Sequence, residues 1–346
     1  MTKYCLLILV GTCCRAWAQA PSADSVRPRA AASKIQTLEE YMTFKFTQSS
    51  DIEKLAVKTP NTHIKLSPNA ISSSRFGFTY RFIDVGISFV PRFLPGNNDD
   101  DEKGTTHSGG ISTSFIFRHW LQDLSYKRTK GFYLENTGDF DPTWSPGKPY
   151  VKIPDLVFTQ FRGATAYNFN PQFSVSAVTT QSERQLKSAG SFIPQFLYRY
   201  YVNDDQSEIS PNGFTQKGRN WELLLGAGYH YTLVVDQQWY ASLGLTPNAG
   251  YIFSSFDTRS QTTTVTNHQD NFMFRFDGRA GIGYNGKRFF ASAYLHWQNA
   301  SFRQGHTGAS TDDDYAAFQI AAGYRLRAPR WMKTGIENLT RKVGIK

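Results

Sequence analysis

The sequence predicts an all-β fold, a transmembrane antiparallel up-and-down β-barrel of about 12 strands, with 14 as the alternative on the usual even-number pattern. Three observations predict it: long stretches of alternating apolar and polar residues, an export signal, and tight turns interleaved with long polar loops. The stretch 270–302 is the clearest. Phe272, Phe274, Phe276, Gly278, Ala280, Ile282 and Tyr284 share one face, and Met273, Arg275, Asp277, Arg279, Gly281 and Gly283 the other. Beyond Asn285-Gly286-Lys287 the pattern repeats, with Phe289, Ala291, Ala293, Leu295 and Trp297 opposed to Phe290, Ser292, Tyr294, His296 and Gln298. A period of two means strands with one greasy and one polar face. The arms exceed the usual strand of about five or six residues, and a greasy face this long suits lipid. Asn285-Gly286 fits a type I′ turn, because both positions tolerate φ > 0.

Residues 1–18 read as a secretory signal peptide. Lys3 precedes an apolar core from Cys5 to Val10, and Ala16-Trp17-Ala18 is a small-residue cleavage site. Cleavage after Ala18 is preferred, since a cut after Ala20 would put Pro21 just past the scissile bond. A lipoprotein reading on Cys13 or Cys14 is poorly matched by the preceding Val10, Gly11 and Thr12. Cys5, Cys13 and Cys14 all lie in the removed segment, so the mature chain has no thiol for a disulfide or a thiolate metal site. No later run reaches the roughly 18 apolar residues of a membrane helix. A mean hydropathy of −0.44 would be read as soluble, but that test is blind to alternating strands. The 15% aromatic content favours strands and interfacial girdles. The expected address is the outer membrane of a Gram-negative cell.

Residues 19–70 are expected to be a flexible lead-in, periplasmic or acting as a plug. The part 19–33 is rich in Ala, Pro, Ser and Arg; 33–41 suits a short helix capped by Ser33; 41–47 suits a short strand or part of a plug, and 63–66 is similar. The barrel is expected over 71–328. Phe76, Phe78, Tyr80 and Phe82 share a face and, after a turn at Ile83-Asp84, so do Val85, Ile87, Phe89 and Pro91. Further strands are expected at 111–119, 121–134, 155–169, 173–183, 191–201, 221–235, 238–251 and 314–326. Tight connections fall at 168–171, 236–237 and 285–287, and long polar loops at 96–110, 136–152, 203–220, 256–269 and 304–313. Strict up-and-down parity breaks between Asn168 and Asn220, which calls for a missed strand, a split strand or a long connection on the short side. Residues 329–346 form a basic, periplasmic tail.

If the greasy face meets lipid, the lumen receives Arg75, Arg81, Arg118, Arg162, Arg199, Arg275, Arg279 and Arg325, with Glu222, Asp277, His230 and His296. Such a lining attracts anions; the plainer reading is that the arginines brace the wall against loop acids and carbonyls. A one-residue register slip would turn any strand inside out. The net charge of +10 also suits lipopolysaccharide phosphates, while export argues against nucleic acid. Expected partners are outer-membrane lipid, lipopolysaccharide and the barrel assembly machinery; the oligomeric state stays open. Gly281 to Gly286 match G-x-G-x-x-G, but a strand follows where a phosphate loop needs a helix, so these glycines read as wall and turn. Asp99 to Glu102 and Asp312 to Asp314 read as solvated acidic tips rather than calcium sites. His119, His230 and His296 could each serve as a base, yet neither GxSxG nor HExxH occurs. No catalytic residue, metal site or cofactor is expected, and the chain is not expected to be an enzyme.

Several segments carry a family likeness: Ser67-Pro68-Asn69, 75–91, 130–136 (KGFYLEN), Tyr167-Asn168-Phe169-Asn170, 185–191 (QLKSAGS) and 220–231. In these the chain resembles domain of unknown function 4421, a family of Gram-negative outer-membrane proteins. The resemblance implies an outer-membrane barrel and brings no activity or catalytic residue with it. The expected function is an integral outer-membrane barrel acting as a narrow or plugged pore with an anion-leaning lumen. The alternatives are a non-conducting structural or surface-interaction barrel and a barrel hydrolase acting on lipids.

Overall fold

The alternating stretches fold into strands that close on themselves. The computed structural model describes residues 33–59, 62–211, 213–303 and 310–343; the signal peptide, the lead-in through residue 32 and the last residues of the tail lie outside them. In chain order the elements are β1 (Ile35–Thr37), β2 (Tyr41–Ser49), β3 (Leu55–Thr59), β4 (Thr62–Ser67), β5 (Ser73–Tyr80), β6 (Ile83–Phe89), α1 (Asp100–Lys103), β7 (His107–Ile116), β8 (Trp120–Leu134), β9 (Lys152–Tyr167), β10 (Glu183–Gln185), β11 (Ala189–Asp205), β12 (Thr215–Val235), β13 (Trp239–Arg259), β14 (Thr264–Asn285), β15 (Phe289–Arg303), β16 (Ser310–Arg327) and α2 (Arg330–Val343). Strands β2, β5–β9 and β11–β16 form a closed 12-strand antiparallel barrel. The last strand pairs with the first, Arg325 opposite Thr43, and β8 with β9, Ser125 opposite Arg162. The β3–β4 hairpin extends from the end of β8, and β1 pairs with β10 apart from the wall.

The strand count agrees with expectation, but its membership differs. Residues 173–183 are not a wall strand. They belong to a long connection between β9 and β11 that starts on the short-turn side and is buried along most of its length. In its place β2, assigned to the lead-in by sequence, is a full wall strand: Phe44 and Phe46 face out and Thr43, Lys45 and Thr47 face in. The barrel therefore begins at Tyr41, not 71, and the exchange restores strict parity. The helix expected over 33–41 is instead β1 and a turn, and the tail carries the helix α2.

Turns and loops also shift. The turn after β5 is Arg81-Phe82, two residues before the expected Ile83-Asp84, and Arg81 has φ 53°. The left-handed pair that a type I′ hairpin needs is found at Asp236-Gln237, φ 50° and 58°. Asn285 stays in the ladder opposite Phe290, and neither it nor Gly286 has positive φ. The expected loop 256–269 is mostly strand: β13 and β14 run 21 and 22 residues and are joined by only 260–263. By contrast β5 and β6 have 8 and 7 residues, so the wall is tall on one side and short on the other.

Phe76, Ile87, Leu225, Leu243, Phe274 and Ile320 lie exposed on the outer face. Aromatic pairs ring it at two levels. Near the turns Trp120 meets Tyr167 and Trp239 meets Tyr284, each pair with ring centroids 5.1 Å apart. Higher up Tyr200 meets Trp221 at 4.6 Å and Tyr251 meets Phe272 at 5.5 Å. On β12 the two levels fall at Trp221 and at Val235, which lies opposite Trp239; they are ~46 Å apart along the strand, or ~35 Å in height at a tilt of ~40°, enough to hold the ~25 Å apolar band of an outer-membrane barrel. Above Trp221 the outer face turns charged, with Arg219 2.7 Å from Asp257.

Candidate functional site: the lumen

The lumen is divided by the connection between β9 and β11, here called the floor. Its residues are small and polar, and pack against the inner wall near the turns. Phe173 clusters with Ala189 and Ile193, and Val178 with Tyr240 and Tyr294. A buried backbone that forms no ladder needs other partners, and cations of the wall supply them. Lys45 Nζ donates to the Thr179 carbonyl (2.5 Å). Arg279 Nη2 and the Tyr294 hydroxyl donate to the Val178 carbonyl (2.7 and 2.8 Å). Arg325, with no exposed surface, donates to the Gln181 carbonyl through Nε and Nη2 (2.8 and 2.5 Å). The same guanidinium reaches the Gly286 carbonyl (2.5 Å) and Asn285 Oδ1 (2.6 Å) and stacks on Phe290, 4.7 Å from its centroid. Within the floor, Arg184 donates to the carbonyls of Asn285 and Gln237 (2.8 and 3.0 Å) and to Gln36 Oε1 of β1 (2.7 Å). Burial raises the Glu183 carboxyl above its ordinary range, against the opposing hydrogen bond from Ser174 Oγ (2.5 Å).

Above the floor is a chamber of about 540 Å³, lined by Arg162, Arg199, Arg275 and Arg279 and by Asp51, Asp123, Glu222 and Asp277, among others. Arg275 pairs with Glu222 (2.5 Å) and Asp277 (3.1 Å). Arg199 binds Glu53 (2.6 Å) and Gln160 (3.0 Å), lies 3.8 Å from Glu222, and sits 4.5 Å from the ring of Tyr201. Glu53 and Asp51 reach in from the short segment after β2, Asp51 accepting from the Tyr315 hydroxyl. Burial pushes the Glu53 carboxyl up, but Arg199 and Arg162 outweigh it and hold it below its ordinary range. On the short side Arg75 pairs with Asp84 and lies flat across Gly77 and Gly86, which face each other on β5 and β6; a side chain at either glycine would collide with the guanidinium.

Ten of the residues expected in the lumen, Arg75, Arg162, Arg199, Arg275, Arg279, Arg325, Glu222, Asp277, His230 and His296, stand on the inner face of wall strands. Two do not. Arg81 occupies the β5–β6 turn and binds Glu337 of α2 at 3.2 Å. Arg118 is exposed in the turn before β8. Extending the alternation past the strand ends misplaced both. Sequence reading missed Lys45, because β2 was not taken as wall, and Arg184, because the floor was taken as a strand. It also missed Asp51 and Glu53, which come from a loop that alternation cannot orient. Asp123 was legible from its strand, whereas Asp84, expected in a turn, is a β6 residue facing in on Arg75. The lumen is therefore richer in acid than Glu222 and Asp277 alone: the four arginines of the chamber share it with five carboxylates, Asp51, Glu53, Asp123, Glu222 and Asp277.

The three histidines considered as bases do not assemble a triad. His119 lies at a turn, its Nδ1 2.8 Å from the Asn168 carbonyl. His230 Nε2 is 3.4 Å from Thr246 Oγ1, and His296 Nε2 is 3.3 Å from Gln319 Oε1. Among the described residues no serine hydroxyl is hydrogen-bonded to a histidine, and no cluster of His, Asp and Glu could hold a metal ion.

Similarity to solved structures is distant. OmpT of Vibrio cholerae, an outer-membrane protein, matches 83% of this chain and 96% of its own at 9% identity and a TM-score of 0.30. The outer-membrane protease OmpT of Escherichia coli matches 84% and 94% at 10% identity and a TM-score of 0.30. The ferric citrate transporter FecA matches 83% and 42% at 6% identity and a TM-score of 0.31. At these levels no activity of theirs carries over. No curated protein matches significantly. The model of one family, Domain of unknown function (DUF4421), matches residues 32–326. With most of its length covered by that match, the chain belongs to the DUF4421 family.

Proposed function

We propose that the protein is an integral outer-membrane barrel, inserted by the barrel assembly machinery and surrounded by lipid and lipopolysaccharide, whose lumen is a floored chamber and not an open anion pore. One observation carries this reading: the floor lies across the turn end of the lumen, held by Lys45, Arg279 and Arg325 on three main-chain carbonyls. Cations used in this way brace a plug; they do not line a path. Arg199 and Arg275 are likewise engaged by carboxylates, so the anion preference expected of an arginine-rich lumen is largely neutralised. The apolar band between two aromatic levels supports the bilayer address.

Planar-bilayer recording tests the reading. The intact barrel is expected to be silent, and a variant with the floor loosened at Arg325 to conduct. Steady, anion-selective conductance from the intact protein would restore the pore.

A further inference from the structure

Once ion pairs are set aside, two cations of the chamber remain without a hydrogen-bonded acid. Arg162 is exposed within it and makes no hydrogen bond or ion pair with any described residue; Glu53, bound to Arg199, and Asp123 act on it only through space. It also stands directly opposite Arg199 across the β9–β11 ladder, a like-charge juxtaposition that a bound anion would relieve further. Arg279 gives one N–H to the Val178 carbonyl (2.7 Å) and rests on the Tyr294 ring, 4.0 Å from its centroid. Its Nε is buried with no partner.

The ladder register gives Arg279 two neighbours. His230 pairs with Gly244, Gly244 with Arg279, Arg279 with His296, and His296 with Ala317. Five strands thus present His, Gly, Arg, His and Ala in one inward row. The missing side chain at Gly244 lets the His230 imidazole lie across its strand towards Arg279; a Cβ there would overlap the ring. The His296 ring is 6.2 Å from the Tyr294 ring that also carries Arg279. Ala317 leaves room at the end of the row. A neutral imidazole offers one N–H donor; that of His296 sits on Nε2, facing Gln319 Oε1 at 3.3 Å, so the row presents a guanidinium beside the His230 imidazole, both lining one cavity with Arg162.

We propose that the chamber is a binding site for a small oxyanion-bearing molecule, a phosphate or carboxylate compound, met by Arg162 and Arg279 with His230 donating beside Arg279. A guanidinium and a phosphate or carboxylate form charge-assisted, often bidentate hydrogen bonds, and this arrangement answers both the crowding of Arg162 and the unfilled capacity of Arg279. The volume of about 540 Å³ limits the ligand to a small metabolite. The inference rests on the floored-chamber reading, because an open channel would not retain such a ligand.

Calorimetric titration of the purified full-length barrel in detergent tests it, with inorganic phosphate and citrate as separate probes. Saturable binding of at least one is expected, and the better probe tells a phosphate site from a carboxylate site. Arg162→Gln and His230→Gln are each expected to weaken it about tenfold or more, as loss of a charge-assisted contact would. The α2 double variant Arg330→Gln/Lys333→Gln, outside the chamber, is expected to bind like the parent, which separates the chamber from general surface charge. Arg162→Gln touches no described hydrogen bond, so its folding is not at stake; heat-modifiable gel migration checks this. Absence of saturable heat with both probes, or affinity equal to the parent's in Arg162→Gln and His230→Gln, overturns the proposal. Bilayer silence of the same preparation would leave the floored chamber standing on its own.

Discussion

The cations of the upper lumen and those of the lower lumen use the same chemistry on different partners. Arg199 and Arg275 meet carboxylates, Glu53, Glu222 and Asp277. Arg325, Arg279, Lys45 and Arg184 meet neutral carbonyl and amide oxygens of the floor and the adjoining turns. A carboxylate partner neutralises the cation but comes from the wall or a loop, so it stiffens what is already there. A carbonyl partner leaves the charge in place and satisfies backbone that has no ladder, so it holds an otherwise unstructured segment across the lumen. The upper set braces and the lower set latches.

The largest break in this comparison should come at Arg325. Replacing it with Met leaves the Gln181 and Gly286 carbonyls and Asn285 Oδ1 without its donors, at about 1–3 kcal/mol for each buried group. The variant should lose at least about 3 kcal/mol of stability, seen as a lowered midpoint of urea unfolding in detergent, and should begin to conduct. Next comes Glu222→Gln in the upper set. Arg275 keeps Asp277 and Arg199 keeps Glu53, so the loss should be about 1–3 kcal/mol with the bilayer still silent. If both variants conduct alike, the division between bracing and latching fails.

Acidity separates the two ends by sign. Glu53, held below its ordinary 4.5, contributes stability that is present above that value and lost as pH falls through its folded value. Glu183, raised above 4.5 by burial, contributes in the opposite sense: fully below that value, and lost as pH rises through its folded one. Melting curves against pH should flatten on the acid side in Glu53→Gln and above pH 4.5 in Glu183→Gln. A shared shift in one direction would contradict the assignment. The smallest effect belongs outside the lumen. Arg81→Ala breaks a pair whose acid, Glu337, is half exposed, so it should cost under about 1 kcal/mol and leave the barrel's melting temperature unchanged.

The wall was legible in the sequence because each strand meets lipid on one side and polar interior on the other, and alternation records that difference. Phe272 to Tyr284 and the strand facing them read directly. The floor was not legible for the same reason. Residues 173–183 alternate as Phe173, Val175 and Ala177 against Ser174 and Ser176, yet they are enclosed by the barrel and never see lipid. Periodicity does not distinguish a stretch buried all round by small residues from a half-buried strand. At β2 the error ran the other way, because Lys45 and the flanking threonines soften a pattern whose outward Phe44 and Phe46 are authentic wall. The candidate site was half legible: the register named Arg279, His230 and His296, while Glu53 and Asp51 depend on a loop's path.

The bond between Arg325 and Gln181 joins residues 144 positions apart in the chain. Arg325 rides on the final stave of the barrel, whereas Lys45 and Arg279 reach the same segment from earlier staves. A chain cut short of β16 would keep two of the three fastenings and lose the one on Gln181.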